Sequence, residues 1–328
     1  MKIAIVGAGA IGGYLGGMLA RGGHDVTLIA RGAHRDAIRQ NGLTIESRSG
    51  NFTVHPACTD DPAQAGPQDY VILSLKAPAI PDMAEKMLPL FGPETAVVTA
   101  MNGVPYWYFY RHGGPLDGTR LQTVDPGEKQ WGRIGPERAI GSVVWIAGAI
   151  TAPGVIHHGG GSRLPLGEPD GRATDRVNRL SQALSESGIE APVLDNIRQE
   201  IWTKLWGNLS YNPVSVLTFG TLESMSRDPD ARRVIAAMME ESRNIGEALG
   251  IRFPLTIEER MAAAEKVGAH KTSMLQDLES GKPMEIGALI GVIAELGQRL
   301  RIATPTLDTV LALVKARARA AGTYREEI

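Results

Sequence analysis

Lys204, Asn208 and Asn212 follow one another at four-residue intervals in the segment Glu200–Pro213. A helix through this segment places all three on one face, in successive turns. Their neighbours Ile201, Trp202, Leu205, Trp206 and Leu209 are apolar. One cation and two amides in such surroundings suit a pocket for a small keto or hydroxy acid; the other reading is a solvated stripe on the outside of the helix. A ketone that accepts a hydride becomes an alkoxide and needs a proton. An ammonium within hydrogen-bond reach polarises the carbonyl and supplies that proton. Lys204 has the chemistry for both. Burial or a neighbouring cation would lower its pKa, and an adjacent carboxylate would raise it.

A hydride donor is implied at the other end of the chain. Gly7-Ala8-Gly9-Ala10-Ile11-Gly12 matches the pattern G-x-G-x-x-G, directly after the apolar run Ile3–Val6 and directly before a helix-length segment. In that setting the first glycine permits a tight turn, the second lets a pyrophosphate approach the backbone, and the third lets helix and strand pack closely. The free N–H groups of the helix start then face the phosphates. At the end of the second strand, where an NAD-specific protein places an acid on the ribose, this chain has Ala30 and Arg31, with Arg35 nearby. A guanidinium binds a 2′-phosphate with paired hydrogen bonds, so NADP is the expected cofactor. Lys76 and Asn102 follow two further apolar runs, at strand ends that build the ligand crevice of such a sheet. Lys76 is expected near the adenine-side ribose or phosphates, and Asn102 at the nicotinamide ribose or the substrate.

The elements that must position these groups are an α/β unit followed by a helical one. Strands are expected at Lys2–Val6, Val26–Ala30, Leu43–Glu46, Tyr70–Leu75 and Ala96–Thr99, as a parallel sheet. Helices are expected at Ile11–Arg21, Ala33–Gln40 and Pro81–Leu88. A Gly-, Pro- and aromatic-rich stretch follows, with a strand at Ile140–Ile146 and an antiparallel pair at Gly154–His158 and Arg163–Leu166. The rings at positions 106–110 are read as packing their loop onto the sheet. After a helix at Ala173–Ser187 and a short strand at Ala191–Leu194 the period becomes 3.6 residues. Asp195 is the expected N-cap of a helix that Pro213 ends. Further helices are expected at Pro229–Leu249, Ile257–Val267, Ser273–Leu278, Met284–Leu300 and Thr306–Ala320. The domains are thus 1–194 and 195–328.

Composition narrows the function classes. The 34 basic and 36 acidic residues leave a net charge of −2, which offers no electrostatic footprint for nucleic acid. The single cysteine, Cys58, forms no internal disulfide, and no Cys/His pair has zinc-ligand spacing, so no metal and a cytoplasmic location are expected. No apolar run reaches the roughly 18 residues of a membrane span. The long apolar helices of the second half leave room for a homodimer interface.

Taken in order, these motifs resemble the ketopantoate reductase (2-dehydropantoate 2-reductase) family. They are the glycine loop with Arg31, Leu75-Lys76-Ala77, Met101-Asn102-Gly103, the helix from Trp202 through Lys204, Asn208 and Asn212 to Pro213, and Ser273-Met274-Leu275-Gln276-Asp277 followed by Glu285-Ile286. The resemblance implies a Rossmann-type N-terminal domain and an all-α C-terminal domain like that of 6-phosphogluconate dehydrogenase. It implies NADPH-dependent reduction of 2-dehydropantoate to (R)-pantoate, on the route to pantothenate and coenzyme A. By that likeness Lys204 is the proton donor, Asn208, Asn212 and Ser273 bind the substrate, and Glu285 lies beside the lysine and the cofactor. Asn102 matches a residue at the nicotinamide end. Ala149, read as lying in the turn before Pro153-Gly154, matches a backbone contact to the cofactor.

The chain also departs from the family. Gly287 and Ile290 stand where relatives usually have Asp and Asn, Leu222 stands near a further asparagine position, and the segment from Val104 to Pro136 is longer and more aromatic. A reductase of another 2-keto acid or D-2-hydroxy acid, or an NADP-binding sensor without turnover, is therefore kept as an alternative.

Overall fold

The computed structural model describes residues 1–324. The first half is built on a seven-stranded sheet of order β11-β8-β7-β6-β1-β2-β5. These strands are β1 (Lys2–Val6), β2 (Asp25–Ile29), β5 (Ala57–Thr59), β6 (Gln68–Leu73), β7 (Phe91–Thr99), β8 (Ala139–Ser142) and β11 (Leu166–Gly167). All neighbours are parallel except β11 against β8. In β1, Ile3 and Ile5 enter one buried cluster and Ala4 and Val6 another. That two-sided burial explains why the run is apolar without alternation.

A second sheet has the order β4-β3-β10-β9. It comprises β3 (Leu43–Glu46), β4 (Phe52–Val54), β9 (Trp145–Ala152) and β10 (Val155–Arg163). Two expectations are corrected here. Leu43–Glu46 does not join the parallel sheet; it pairs with Phe52–Val54 and with Val155–His157, and its half-buried alternation is the mark of a strand with one wet face. The antiparallel partner of β10 is β9, not Arg163–Leu166, so the expected strand Ile140–Ile146 is two strands in different sheets. Ala191–Leu194 contributes only an isolated bridge, through Val193.

Helices α1 (Ala10–Arg21) and α2 (Gly32–Asn41) follow β1 and β2. Short α3 (Ile80–Met83), which continues as a 3-10 turn to Leu90, precedes β7, and α4 (Lys129–Arg133) lies in the long segment before β8. After α5 (Asp175–Glu186) the chain is helical: α6 (Ile197–Thr218), α7 (Leu222–Arg227), α8 (Pro229–Ala248), α9 (Ile257–Lys266), α10 (Ser273–Glu279), α11 (Val292–Leu300) and α12 (Pro305–Ala320). A π-helical turn, Gly287–Gly291, leads into α11.

The N-cap of α6 is Asn196, whose side chain accepts from Gln199 N, and not Asp195. The helix also runs through Pro213 to Thr218. Proline forfeits one hydrogen bond but its φ is helical, and burial of Val214, Ser215 and Val216 holds the last turn in place. The aromatic loop packs inward as read: Tyr106, Trp107, Tyr108 and Phe109 are buried. Trp107 Nε1 donates to Thr99 Oγ1 at 3.0 Å, and Trp202 Nε1 to Tyr108 Oη at 2.6 Å. Among the described residues no helix is long and apolar enough to cross a membrane.

Candidate active site

The glycine loop lies between β1 and α1. Gly7 has φ +98°, and a Cβ on Gly12 would collide with the Gly7 carbonyl and Ser74 Oγ, so strand and helix meet only because both are glycine. At Gly9 nothing stands within 4 Å of a Cβ position. The start of α1 has no side-chain cap and no acid in its first turn. Open backbone and an uncapped positive helix end fit a pyrophosphate. Arg31 is exposed at the end of β2, with no side-chain partner among the described residues. Arg35, by contrast, is engaged with Asp36 at 2.7 Å and with Asp60. The residues present thus fit NADP, with Arg31 the free guanidinium at the ribose end.

Across the cleft, Lys204 Nζ donates to Asn102 Oδ1 at 2.8 Å and to the Val144 carbonyl. Asn102 Nδ2 donates to Glu285 Oε2 at 3.1 Å. Glu285 is buried; its other oxygen accepts from Ala77 N at 3.2 Å. Burial pushes the Lys204 ammonium down to about 8, and Glu285 opposes the shift without cancelling it. Desolvation of the cation therefore outweighs attraction by the carboxylate. Lys76 forms an ion pair with Asp277 of α10 and stands 4.0 Å from Glu285. The structure thus places Lys76 beside the carboxylates of the helical half.

The turn carrying Asn102 is held against the helical half by Val104 N, which donates to the Ala288 carbonyl at 3.0 Å. Gly103 makes this approach possible: its φ is +88°, and a Cβ would overlap Ala288. Lys204, Asn208 and Asn212 share one face of α6. Asn208 has no side-chain hydrogen bond among the described residues, and neither has Ser273, exposed at the start of α10. Asn212 is only 4% exposed, yet its Nδ2 has no partner. A buried amide donor left unsatisfied costs about 1–3 kcal/mol, and its presence on this face points to a ligand oxygen that completes it. Ala149 lies within β9, opposite His157, rather than in a turn; β9 packs across α1.

Sequence reasoning did not single out Trp145, Arg163, Glu200 or Asp277 as neighbours of the site. Glu200 precedes Lys204 by one turn, and Asp277 closes the Ser273–Asp277 motif; these were the local signals. Among the described residues no group of His, Cys, Asp and Glu could hold a metal ion.

A Rossmann-type sheet with an open glycine loop, facing a half-buried lysine on a helical domain, defines an NADP-dependent oxidoreductase. Two family models cover the chain, Ketopantoate reductase PanE/ApbA over residues 3–171 and its C-terminal counterpart over 196–318. The 2-dehydropantoate 2-reductase of Mesorhizobium japonicum is 51% identical over 326 residues, covering 99% of this chain and 100% of that protein. A crystal structure from Ralstonia solanacearum MolK2 superposes with a TM-score of 0.94 at 41% identity, covering 98% of this chain and 99% of that one. The chain belongs to the ketopantoate reductase family. The fold extends further: D-mandelate dehydrogenase, at 23% identity, superposes with a TM-score of 0.81, covering 99% of this chain and 100% of that one.

Proposed function

We propose that the protein reduces 2-dehydropantoate to pantoate with NADPH, and that Lys204 is the proton donor. The observation that carries this reading is the chain Lys204–Asn102–Glu285, a partly desolvated ammonium held by a neutral amide that links it to the Glu285 carboxylate. When bound, NADPH supplies the hydride. The protein's part is to orient the carbonyl, polarise it through Nζ–H, and transfer that proton to the oxygen that becomes the alkoxide. Asn208, Asn212 and Ser273 bind the substrate hydroxyl and carboxylate, the unpaired Asn212 Nδ2 among them. Gly7, Ala8, Gly9, Ala10, Ile11 and Gly12 cradle the pyrophosphate, Arg31 takes the 2′-phosphate, and Ala149 offers backbone to the cofactor. Lys76 contacts the cofactor, and Glu285 lies beside Lys204 and the cofactor.

A second reading keeps the chemistry and changes the acid, because Gly287 and Ile290 remove two polar groups that relatives carry. Steady-state NADPH oxidation with 2-dehydropantoate, 2-ketoisovalerate, pyruvate and phenylpyruvate separates the two. The highest kcat/KM for 2-dehydropantoate is expected, and a clear preference for another acid overturns the first reading. No turnover with any of them would leave an NADP-binding sensor. The same reading makes the protein an enzyme with a small-molecule partner working in the cytoplasm; a homodimer would be tested by light scattering.

A further inference from the structure

Glu200 and Lys204 are one turn apart on α6, the spacing at which a glutamate and a lysine pair across a helix surface. They do not pair. Glu200 Oε1 accepts from Trp145 Nε1 at 2.8 Å and from Arg163 Nη1 at 2.5 Å. The Lys204 ammonium turns instead to Asn102 and Val144. Trp145 has Glu200 at its N–H edge and Lys204 over its face, with Nζ 5.6 Å from the ring centroid. Trp145 and Arg163 are themselves cross-strand partners, directly opposite in the β9–β10 ladder. A strand pair therefore delivers an indole and a guanidinium together to one carboxylate.

We propose that Trp145 and Arg163 are positioning residues that hold the Glu200 carboxylate off Lys204 and so keep the ammonium available to the substrate carbonyl. This rests on Lys204 being the proton donor. The physical need is specific to this site. Of the charged groups around Lys204, Glu285 lies behind the Asn102 amide, Asp277 is paired to Lys76, and Lys76 also stands 4.0 Å from Glu285. Glu200 is the carboxylate on the lysine's own helix, with only 18% of its side chain exposed. Released, it would meet Nζ directly, and a contact ion pair raises the pKa of a lysine and occupies one of its donors. Arg163 also satisfies the Glu200 charge: it bonds Glu200 at 2.5 Å and stands farther from its second carboxylate neighbour, Glu190, at 3.4 Å, so Glu200 has a cation other than Lys204.

The test compares Trp145→Phe/Arg163→Gln, which removes both bonds to Glu200 and keeps a ring beside Lys204, with the triple variant that adds Glu200→Gln and with Glu200→Gln alone. Two readouts are used: the basic limb of the kcat–pH profile with NADPH, and the Lys204 pKa from NMR titration of lysine-labelled protein, assigned by the loss of its signal in Lys204→Ala. The double variant is expected to move both upward by about one pH unit and to lower kcat. The triple variant should return both to the wild-type position, and Glu200→Gln alone should leave them there. If the double variant moves neither, or if the shift persists with Gln at 200, the proposal is overturned, because a persisting shift would reflect only hydration of the site. Should the double variant fold poorly, Arg163→Gln alone, which removes the charged partner of Glu200, should shift both readouts in the same direction, and Glu200→Gln should again cancel the shift. The NMR readout needs no substrate, so an enzyme that rejects 2-dehydropantoate would defeat the functional reading while leaving this inference standing or falling on its own.

Discussion

Asn102 accepts a 2.8 Å hydrogen bond from Lys204 through its side-chain oxygen, and that bond fixes which way the amide faces. The same amide's Nδ2 donates to Glu285 at 3.1 Å, so a neutral dipole joins the two charges without letting them touch. Asn102→Asp replaces this spacer with a carboxylate beside the ammonium. The basic limb of the kcat–pH profile should move up by about one to two pH units, and kcat should fall at neutral pH. Asn102→Ala should lower kcat without an upward shift. A stopped or unmoved limb in Asn102→Asp would remove the amide from control of the proton donor.

Lys204 itself sets the pH dependence. Reduction needs the ammonium, so kcat should fall as pH rises through about 8, while oxidation of pantoate, which needs the free amine, should rise through the same range. Lys204→Ala should cost kcat by two or more orders of magnitude and leave the Kd for NADPH almost unchanged. Pre-steady-state rates together with equilibrium fluorescence titration check both parts, and a large rise in Kd would place Lys204 in cofactor binding instead.

A partly desolvated cation also has a cost in stability. Its pKa is lowered from 10.5 to about 8 on folding, so between these values the unfolded chain binds the extra proton and stability due to this group rises with pH. Below about 8 the desolvation penalty is present in full. Lys204→Met, an apolar side chain of similar length, should raise Tm at pH 7 by about 2–5 °C and flatten the rise of stability between pH 8 and 10. A lower Tm would mean that the bonds to Asn102 and Val144 outweigh desolvation.

These groups differ in how far the sequence exposes them. The glycine loop and the polar stripe on α6 are local patterns, readable because strand, turn and helix each repeat within a few residues. Glu285 meets Asn102 at a sequence separation of 183, and only the resemblance to relatives pairs them. Trp145 and Arg163 meet Glu200 through the β9–β10 register, which three irregularities shift and which no periodicity in the chain reveals. Pro213 misled in the other direction: local chemistry ends a helix there, but the packing of Val214 and Val216 carries it on.

Arg31 carries the cofactor choice. Charge-assisted bonds to a phosphate are worth about 1.5–3 kcal/mol, so Arg31→Ala should raise the Kd for NADPH roughly 10- to 100-fold and that for NADH by less than about threefold. Arg35, tied to Asp36 and Asp60, should matter less. Equal losses for the two cofactors would take Arg31 away from the 2′-phosphate.

Gly287 packs against the long segment between β7 and β8. Glu295 of α11 accepts from Gln122 N at 3.2 Å and from Thr123 N at 2.9 Å, and Arg299 secures Glu295 at 2.7 Å. This clamp sets the Thr123 carbonyl oxygen 3.0 Å from where a Cβ on Gly287 would stand, with Thr123 Cγ2 equally close to a Cβ on Gly291. Gly287→Asp brings a Cβ to 3.0 Å from the Thr123 carbonyl oxygen, so the clamped loop must give way to admit it. A loss of roughly 1–3 kcal/mol is expected from this overpacking, read as a lower Tm, and Glu295→Ala in the same chain should recover part of it by freeing the loop. If Gly287→Asp is as stable as the parent, the close approach of Thr123 is not what requires glycine at this position.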